Sequence, residues 1–409
     1  MKKLLTTLLL LGFLVLPQYS TEWSEDILIA EAQHEQDQYN AGQLILDNDG
    51  NYICTFDAFD YLDWDWEIDY ARFSQDGTLI VEPMDVIDNP SIDEHHQVAI
   101  IDSYDYIHLF YYHYVGSAAW SIYYAKLDLA GNLLKGPELF ADTRTSISFS
   151  NRPAIAIEDD DTIHLLYRDA SNGDDVASYT RWNPYTGERF ERYALIPNDP
   201  RIDEHYVGGG SKWSMLVDPE GNAHCVIEVR LEYELWGQGE ASMEICWMRV
   251  GEVTEMPVGK ILTYLELGNG DEIDPYCTID DDSIIHIVYN GNPNEDQGII
   301  DQCCYLSIDT DGNTVTPVRY DFFPEEWEDG SDKFAMHYNN GNLALIEYNH
   351  AGSGGENSRF IFGRLDLQGN VIEDFEFITG YPVWGDKEGI ITRVWTLVIF
   401  QPVVELSIT

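Results

Sequence analysis

A unit of nearly 60 residues recurs along this chain, and it limits the possible folds more than any other feature. In each copy an apolar stretch ends in one polar residue, an acid in five copies and a tyrosine in the sixth. These anchor residues are Asp47, Asp102, Glu158, Asp218, Asp280 and Tyr338. Successive anchors are 55 to 62 residues apart. Repetition at such a period indicates a repeat architecture in which each unit packs against its neighbours.

The column six positions after each anchor predicts a packing role for four histidines. It contains Ile53, His108, His164, His224, His286 and Ala344. Because an isoleucine and an alanine replace histidine in two copies, we predict that these histidines are structural and not catalytic. The next two columns are apolar or nearly so in every copy, which is typical of a strand buried on both faces.

A second strand in each unit carries an aromatic column, followed two positions later by a basic column. The aromatic column contains Tyr70, Tyr124, Tyr179, Trp247, Tyr305 and Phe362. The basic column contains Arg72, Lys126, Arg181, Arg249, Ser307 and Arg364, and we expect it to form ion pairs with neighbouring strands. Glycine turns such as "QDGT" and "LQGN" then follow. Four short antiparallel strands per unit predict the blades of an all-β propeller.

The two ends of the chain predict the number of blades. Residues 387–409 suffice for three strands, and residues 26–33, "DILIAEAQ", suffice for one. If that N-terminal strand closes the last blade, the ring has seven four-stranded blades and two sheet edges disappear. A six-bladed ring with a ragged tail is the alternative.

The frame "RPAIAIEDDDTIHLLYRD" and its copies resemble the secreted bacterial sialidase-like, BNR-repeat-like β-propellers. This resemblance covers nearly all of residues 22–409 and implies the propeller fold. The Asp-box pattern S-x-D-x-G-x-T-W is missing, and "SQDGTL" and "IDTDGN" fill the corresponding turn in degenerate form. Sialidases, polysaccharide lyases and binding proteins share the fold, so the resemblance does not select a reaction.

The first 20 residues have the layout of a secretory signal peptide, with Lys2 and Lys3 before an apolar run from Leu4 to Leu16. We therefore expect a secreted or periplasmic protein with one propeller domain over residues 21–409. Without the leader, 20 basic and 73 acidic residues remain, a formal charge of −53. Such a charge disfavours nucleic acid and anionic membranes as partners, and no later segment is long and apolar enough for membrane insertion.

The six cysteines predict at most one disulfide. Cys54, Cys225 and Cys303 fall in apolar columns, where a small core side chain is expected. Cys246 and Cys304 occupy equivalent positions in adjacent units, which are usually too far apart to bridge.

The segments that enter the innermost strands predict an acidic rim around the central channel. Six of the seven contain an aspartate: Asp37, Asp93, Asp203, Asp274, Asp332 and Asp386. Each aspartate would either cap its turn by accepting backbone N–H bonds or contribute to a Ca²⁺ site, since Ca²⁺ prefers oxygen ligands.

The same face also carries histidines, an arginine and aromatic residues. The motif "IDEH" occurs twice and the third entering segment contains Arg152, while the loops that join the middle strands supply tryptophans. Together the candidate ligand-binding residues are Asp93, Glu94, His95, His96, Arg152, Asp203, Glu204, His205, Asp274, Trp64, Trp66, Trp120 and Trp236. Aromatic rings beside carboxylates suit the apolar faces and hydroxyl edges of carbohydrate, although these rings would equally suit packing between blades.

The sequence favours a non-catalytic binding module for glycan or protein partners, which we expect to be a monomer. The alternative is a glycan-active enzyme, either a polysaccharide lyase or a glycoside hydrolase, with His95 or His205 as the base. A sialidase is the least favoured enzyme because it would need an arginine cluster for the substrate carboxylate. The sequence leaves open whether the protein is an enzyme at all.

Overall fold

The computed structural model describes residues 38–60, 64–89, 92–116, 119–145, 152–171, 176–190, 192–198, 202–207, 213–232, 241–251, 257–263, 273–291, 302–320, 322, 331–351 and 357–377. Every regular element in these ranges is a β-strand, which agrees with the prediction of an all-β chain. No helix in the described ranges is long and apolar enough to cross a membrane.

The strands form six antiparallel sheets, which we number as blades in chain order. Blade 1 contains β1 (Gln38–Leu46), β2 (Tyr52–Asp60), β3 (Asp65–Phe73) and β4 (Leu79–Ile87). Blade 2 contains β5 (Glu94–Ile101), β6 (Ile107–Gly116), β7 (Ala119–Leu127) and β8 (Leu133–Thr145). Blade 3 contains β9 (Ala154–Ile157), β10 (Ile163–Asp169), β11 (Val176–Trp182) and β12 (Tyr193–Ala194).

The later blades repeat this order. Blade 4 contains β13 (Ile202–Val207), β14 (Trp213–Val217), β15 (Ala223–Glu232), β16 (Ala241–Val250) and β17 (Val258–Ile261). Blade 5 contains β18 (Ile273–Ile279), β19 (Ile285–Gly291), β20 (Gln302–Ile308) and β21 (Thr314–Arg319). Blade 6 contains β22 (Ser331–Asn339), β23 (Asn342–Ala351), β24 (Asn357–Asp366) and β25 (Val371–Phe377). In blade 4 both β13 and β14 pair with β15, so the first strand is split in two.

The first strands of consecutive blades contact one another, from β1 through β5, β9, β14 and β18 to β22. This arrangement is consistent with a β-propeller in which the first strand of each blade lines the axis. Residues 26–33 and 387–409, which would form the closing blade, lie outside the described residues. Seven-bladed closure and its six-bladed alternative therefore both stay predictions.

Five hydrophobic clusters each join two consecutive blades. On β6, Leu109 belongs to the cluster shared with blade 1 and Phe110 to the cluster shared with blade 3. Successive residues of a strand point to opposite faces, so one strand supplies both clusters. The predicted burial of this strand on both faces is confirmed.

The four repeated histidines are fully buried and hydrogen-bonded at both ring nitrogens. In each case Nε2 lies 2.7 to 3.0 Å from the anchor carboxylate of the same blade. Nδ1 lies 2.6 to 3.1 Å from the Tyr hydroxyl or Trp indole nitrogen of the aromatic column. The structural role predicted from the repeat is confirmed, because each histidine connects the first and third strands of its blade.

The basic column forms ion pairs, as predicted. In blades 1 to 3 the partner is the anchor acid of the same blade; for example, Arg72 Nε donates to Asp47 at 2.9 Å. Arg249 instead pairs with Asp311 of the next blade at 2.8 Å, and Arg364 pairs with Glu373 on the adjacent strand. These arginines thus belong to the framework of the repeat.

All six cysteines are buried thiols that form no disulfide. The core placement predicted for Cys54, Cys225 and Cys303 is confirmed, and the finding agrees with the expectation of at most one disulfide. Burial raises the pKa of the Cys54 thiol to about 12, so this side chain stays a neutral core group.

Candidate functional site

The candidate site begins at a bulge in the first strand of blade 2. The pairing of β5 with β6 is irregular between His95 and Val98, and His96 has a left-handed backbone with φ of 55°. A non-glycine residue adopts this conformation only where surrounding contacts enforce it. Here the His96 backbone N–H donates to Asp57 Oδ2 on blade 1 at 3.1 Å. A carboxylate of one blade thereby holds the bulge of the next.

The same arrangement, a carboxylate that accepts the backbone N–H of a bulged residue on the next blade, occurs between blades 4 and 5. Asp274 has φ of 58°, and its backbone N–H donates to Glu228 Oε1 at 2.7 Å. Glu228 and Asp57 occupy the same position of the repeat, four residues after the histidine column. Capping of the bulge is therefore a structural function of this position. Any further function of Asp57 must come from its other neighbours.

His95 lies among aromatic rings and next to the Asp57 carboxylate. Its ring centroid is 4.7 Å from that of Trp66 and 5.5 Å from that of Trp120. Its Nδ1 is 3.8 Å from Asp57 Oδ2. The guanidinium of Arg152, on blade 3, approaches the same oxygen to 3.8 Å. Three blades thus contribute to one group, the His95 cluster, which contains Asp57, Trp66, His95, His96, Trp120 and Arg152.

The charges in the His95 cluster follow from burial and from the ion pairs. Burial raises the pKa of Asp57, but the nearby side chains of His95 and Arg152 lower it by more, so the net shift is downward. Burial lowers the pKa of His96 to about 3, against the opposing effect of Asp57. At neutral pH the cluster therefore combines a carboxylate, a neutral His96 and the Arg152 cation.

Several buried polar atoms around the cluster have no hydrogen-bond partner in the described part of the chain. They are Asp57 Oδ1, Glu94 Oε2 and both amide atoms of Gln97. The repeated histidines, in contrast, have partners at both ring nitrogens. Orphaned polar groups beside an ion pair are typical of a site built for a ligand or for chemistry rather than for packing alone.

Glu94 was predicted to face a ligand, but the structure buries it completely. Its Oε1 accepts from Asn89 Nδ2 at 2.7 Å and lies 3.0 Å from His113 Nδ1. Burial raises the pKa of Glu94, while the hydrogen bonds from His113 and Asn89 oppose that shift. Glu94 is therefore a buried partner of Asn89 and His113 and does not line the surface of the site.

The rim aspartates are only partly described. Asp93 is half-buried and accepts the Trp66 backbone N–H at 3.2 Å, which matches the capping alternative. Asp274 is buried beside Glu228. Asp37 and Asp386 lie outside the described residues, and the side chains of Asp203 and Asp332 do so too. The predicted rim calcium site stays a prediction.

The remaining candidates do not join the His95 cluster in the described structure. Trp64 is 65% exposed and meets Phe59 edge-on at 6.3 Å between ring centroids. The second "IDEH" motif lies on β13, where the side chains of Asp203, Glu204 and His205 are outside the described set, as is Trp236 altogether. Asp57 and His113 were not predicted, because their partners His96 and Glu94 lie on another strand and far away in the sequence.

Comparison with known proteins supports the fold but not a family. No protein-family model matches the sequence, and no curated protein matches it. A solved protein of unknown function from Dyadobacter fermentans is similar, with a TM-score of 0.51 and 10% identity over 82% of this chain and 96% of that one. A PL25 ulvan lyase bound to GlcA(1-4)Rha3S has a TM-score of 0.52 and 13% identity over 82% of this chain and 80% of that one.

The NanB sialidase from Streptococcus pneumoniae is a more distant neighbour, with a TM-score of 0.41 and 10% identity over 87% of this chain and 64% of that one. At such identities the likeness concerns the fold alone. The two neighbours with TM-scores above 0.5 support the likeness at the level of the fold, and the reaction must be argued from the site.

Proposed function

We propose that this protein is a glycan-active enzyme, namely a polysaccharide lyase that cleaves a glycan containing uronic acid at the His95 cluster. The observation that carries the proposal is the contact of His95 with the Asp57 carboxylate, next to the Arg152 guanidinium. The similarity to a lyase whose bound ligand contains GlcA adds support at the level of the fold. The leader-like residues 1–20 support a location outside the cytoplasm, where such glycans are met.

The elimination that a lyase catalyses requires a base, a group that orients the base and a cation that binds the substrate carboxylate. The His95 cluster contains all three. A base removes the proton at C5 of the uronate, the C–H electrons form the C4=C5 double bond, and the C4–O4 bond breaks while O4 takes a proton from water. His95 is the base, and Asp57, on its Nδ1 side, orients the ring and stabilises the imidazolium. Arg152, with 29% of its side chain exposed, pairs with the substrate carboxylate and thereby makes C5 more acidic.

Trp66 and Trp120 give the cluster apolar surface. Both are partly exposed, in contrast to the fully buried rings of the aromatic column. A pyranose ring stacks well on such a surface because its C–H face is apolar, while its hydroxyl groups bond to the neighbouring polar atoms. We therefore place the sugar next to the uronate against these indole rings.

A non-catalytic glycan-binding module is the second candidate. The observation in its favour is the burial of His95, whose side chain is only 7% exposed. In that case the same aromatic and charged groups would hold the glycan without turnover. Only the lyase would form an unsaturated product, and this product distinguishes the two functions.

The test is a depolymerisation assay on uronic-acid glycans, which follows the ultraviolet absorbance of the new double bond. We expect the wild-type protein to form unsaturated products and His95→Gln to reduce the rate by about 10²-fold or more. His337→Gln is the matched control, because it removes an exposed histidine from blade 6. Tight glycan binding without product would favour the binding module, and equal rates for both variants would remove His95 from the mechanism.

A further inference from the structure

Three carboxylates meet on the two outer strands of blade 1. Glu67, Asp69 and Asp85 each offer an oxygen, and these oxygens all lie within 4.8 Å of one another. Asp69 and Asp85 are direct partners across β3 and β4. Glu67 lies on the same face of β3, two residues before Asp69. Like charges that face each other across strands destabilise a sheet.

The internal repeat shows that the Asp69 carboxylate is not part of the common blade framework. Asp69 directly precedes Tyr70 of the aromatic column. The residues that directly precede the other members of that column are Tyr123, Ser178, Cys246, Cys304 and Ile361. None of these five carries a carboxylate. The position serves packing in the other blades and has a different role in blade 1.

Blade 4 shows how the framework accommodates an acid near this place. Glu244, in the column of Glu67, accepts the hydroxyl of Ser242 at 3.0 Å and that of Thr263 at 2.9 Å. Neutral hydroxyl donors therefore surround the buried acid of blade 4. In blade 1 the neighbours of the corresponding acid include two further carboxylates.

The burial of Asp69 indicates that a positively charged partner is missing. It is only 7% exposed, and its Oδ1 has no hydrogen-bond partner in the described part of the chain. A buried anionic oxygen without a donor is costly unless a cation or a proton is present. Burial, a hydrogen bond with Asp85 and the charges of Asp85 and Glu67 raise the pKa of Asp69 to about 9.

We propose that Glu67, Asp69 and Asp85 bind a calcium ion that links β3 to β4. All three ligands are carboxylate oxygens, which a hard divalent cation prefers. Oxygens bound at about 2.4 Å to one Ca²⁺ lie at most about 4.8 Å apart, which agrees with the observed spacing. Asp85 is exposed, so an ion and its remaining water ligands reach the group from solvent. This site differs from the predicted rim site and does not depend on the proposed lyase activity.

The first experiment is calorimetric titration of the full chain with CaCl₂, combined with thermal melting in CaCl₂ and in NaCl at matched ionic strength. We expect saturable binding of Ca²⁺ and a rise in Tm that is specific to Ca²⁺. Asp69→Asn and Asp85→Asn should each weaken binding about tenfold or more. Glu82→Gln, an exposed acid on β4, is the matched control and should stay within about twofold.

Two outcomes would overturn the proposal. One is equal stabilisation by CaCl₂ and NaCl, which would show only screening of the charge of −51. The other is a calcium response that Asp69→Asn leaves unchanged, or that Asp93→Asn abolishes, since the ion would then lie elsewhere. Asp69→Asn keeps the shape of the side chain and relieves the repulsion among the three carboxylates, so it should fold at least as well as the wild type in EDTA. A lost calcium response would therefore report a lost ligand.

Discussion

The indole Nε1 of Trp247 lies 3.1 Å from Nδ1 of His224, at the place where a tyrosine hydroxyl meets the histidine in blades 2, 3 and 5. An indole N–H can only donate, so Nδ1 of His224 must accept. Its Nε2 then carries the hydrogen and donates to Asp218 Oδ2 at 2.9 Å. This single contact determines the tautomer of His224 and keeps the ring neutral.

Replacement of Trp247 by phenylalanine should remove this constraint. We expect Trp247→Phe to unfold more easily by about 2–4 kcal/mol, because Nδ1 loses its donor and the smaller ring leaves a cavity. Nitrogen NMR of His-labelled protein should show the Nε2–H tautomer of His224 in the wild type down to mildly acidic pH. A doubly protonated His224 in the wild-type protein at neutral pH would contradict the assignment.

The repeated histidines should affect stability and leave ligand binding intact. His164→Ala removes a ring that lies 2.7 Å from Glu158 Oε1 and 2.6 Å from the Tyr179 hydroxyl. We expect a loss of about 2–4 kcal/mol in the free energy of unfolding, from the lost hydrogen bonds and the cavity. Urea denaturation measures this loss. Weaker glycan binding at an unchanged Tm would show that the residue is functional instead.

The buried histidines also predict a loss of stability in mild acid. Burial lowers the pKa of His96, His108, His224 and His286 in the folded chain. Below about pH 6.5 these residues take up protons when the chain is unfolded and resist doing so when it is folded. The free energy of unfolding should therefore fall from pH 7 to pH 5, by as much as about 1 kcal/mol per pH unit for each group. A flat profile over this range would contradict the assigned charge states.

The repeat made the framework predictable, because six copies of each position reveal its role. The histidine column is predicted to be structural because two copies have Ile53 and Ala344 there, and these side chains cannot take part in catalysis. The rim candidates His95, His96 and Arg152 could be named because propeller geometry brings the entering segments to one face. Their assembly into one cluster, however, depends on the bulge at His96. No pattern in the sequence predicts the left-handed backbone of this residue.

Features that occur once were not predictable in this way. Only Asp57 and Glu228 carry an acid at this position of the repeat, and the importance of Asp57 comes from contacts with blades 2 and 3 that occur once in the described chain. The meeting of Asp69 with Asp85 depends on an irregular register between β3 and β4. A pattern of residue types does not specify such a register, since a shift by one residue moves a side chain to the other face.

The contacts between blades predict an unequal cost for two glycine substitutions. A Cβ at Gly369 would lie 2.4 Å from the Tyr305 ring of the preceding blade, whereas a Cβ at Gly341 would meet nothing within 4 Å. Both glycines have positive φ. We expect Gly341→Ala to cost about 1 kcal/mol for the backbone alone, and Gly369→Ala about 2–4 kcal/mol because the aromatic ring must also move. Equal changes in Tm would show that the blades do not pack as described.

Asp57 provides the sharpest test of the site, because the repeat contains its structural counterpart. Asp57→Asn keeps an oxygen for the His96 backbone N–H but removes the charge beside His95 and Arg152. If Asp57 orients His95 and stabilises its charged form, kcat should fall by roughly 10–100-fold, and the acid limb of the pH–rate profile should move to lower pH. Stability should change little, since the bulge stays capped.

Glu228→Gln is the matched control for this experiment. It makes the same chemical change at the same position of the repeat, where Glu228 caps Asp274. We expect near-normal kcat for Glu228→Gln, with any loss confined to stability. If both variants lost activity in proportion to their stability, Asp57 would only cap the bulge, and the base at the His95 cluster would have to act without it. A selective loss in Asp57→Asn requires the carboxylate itself, because capping is common to both positions.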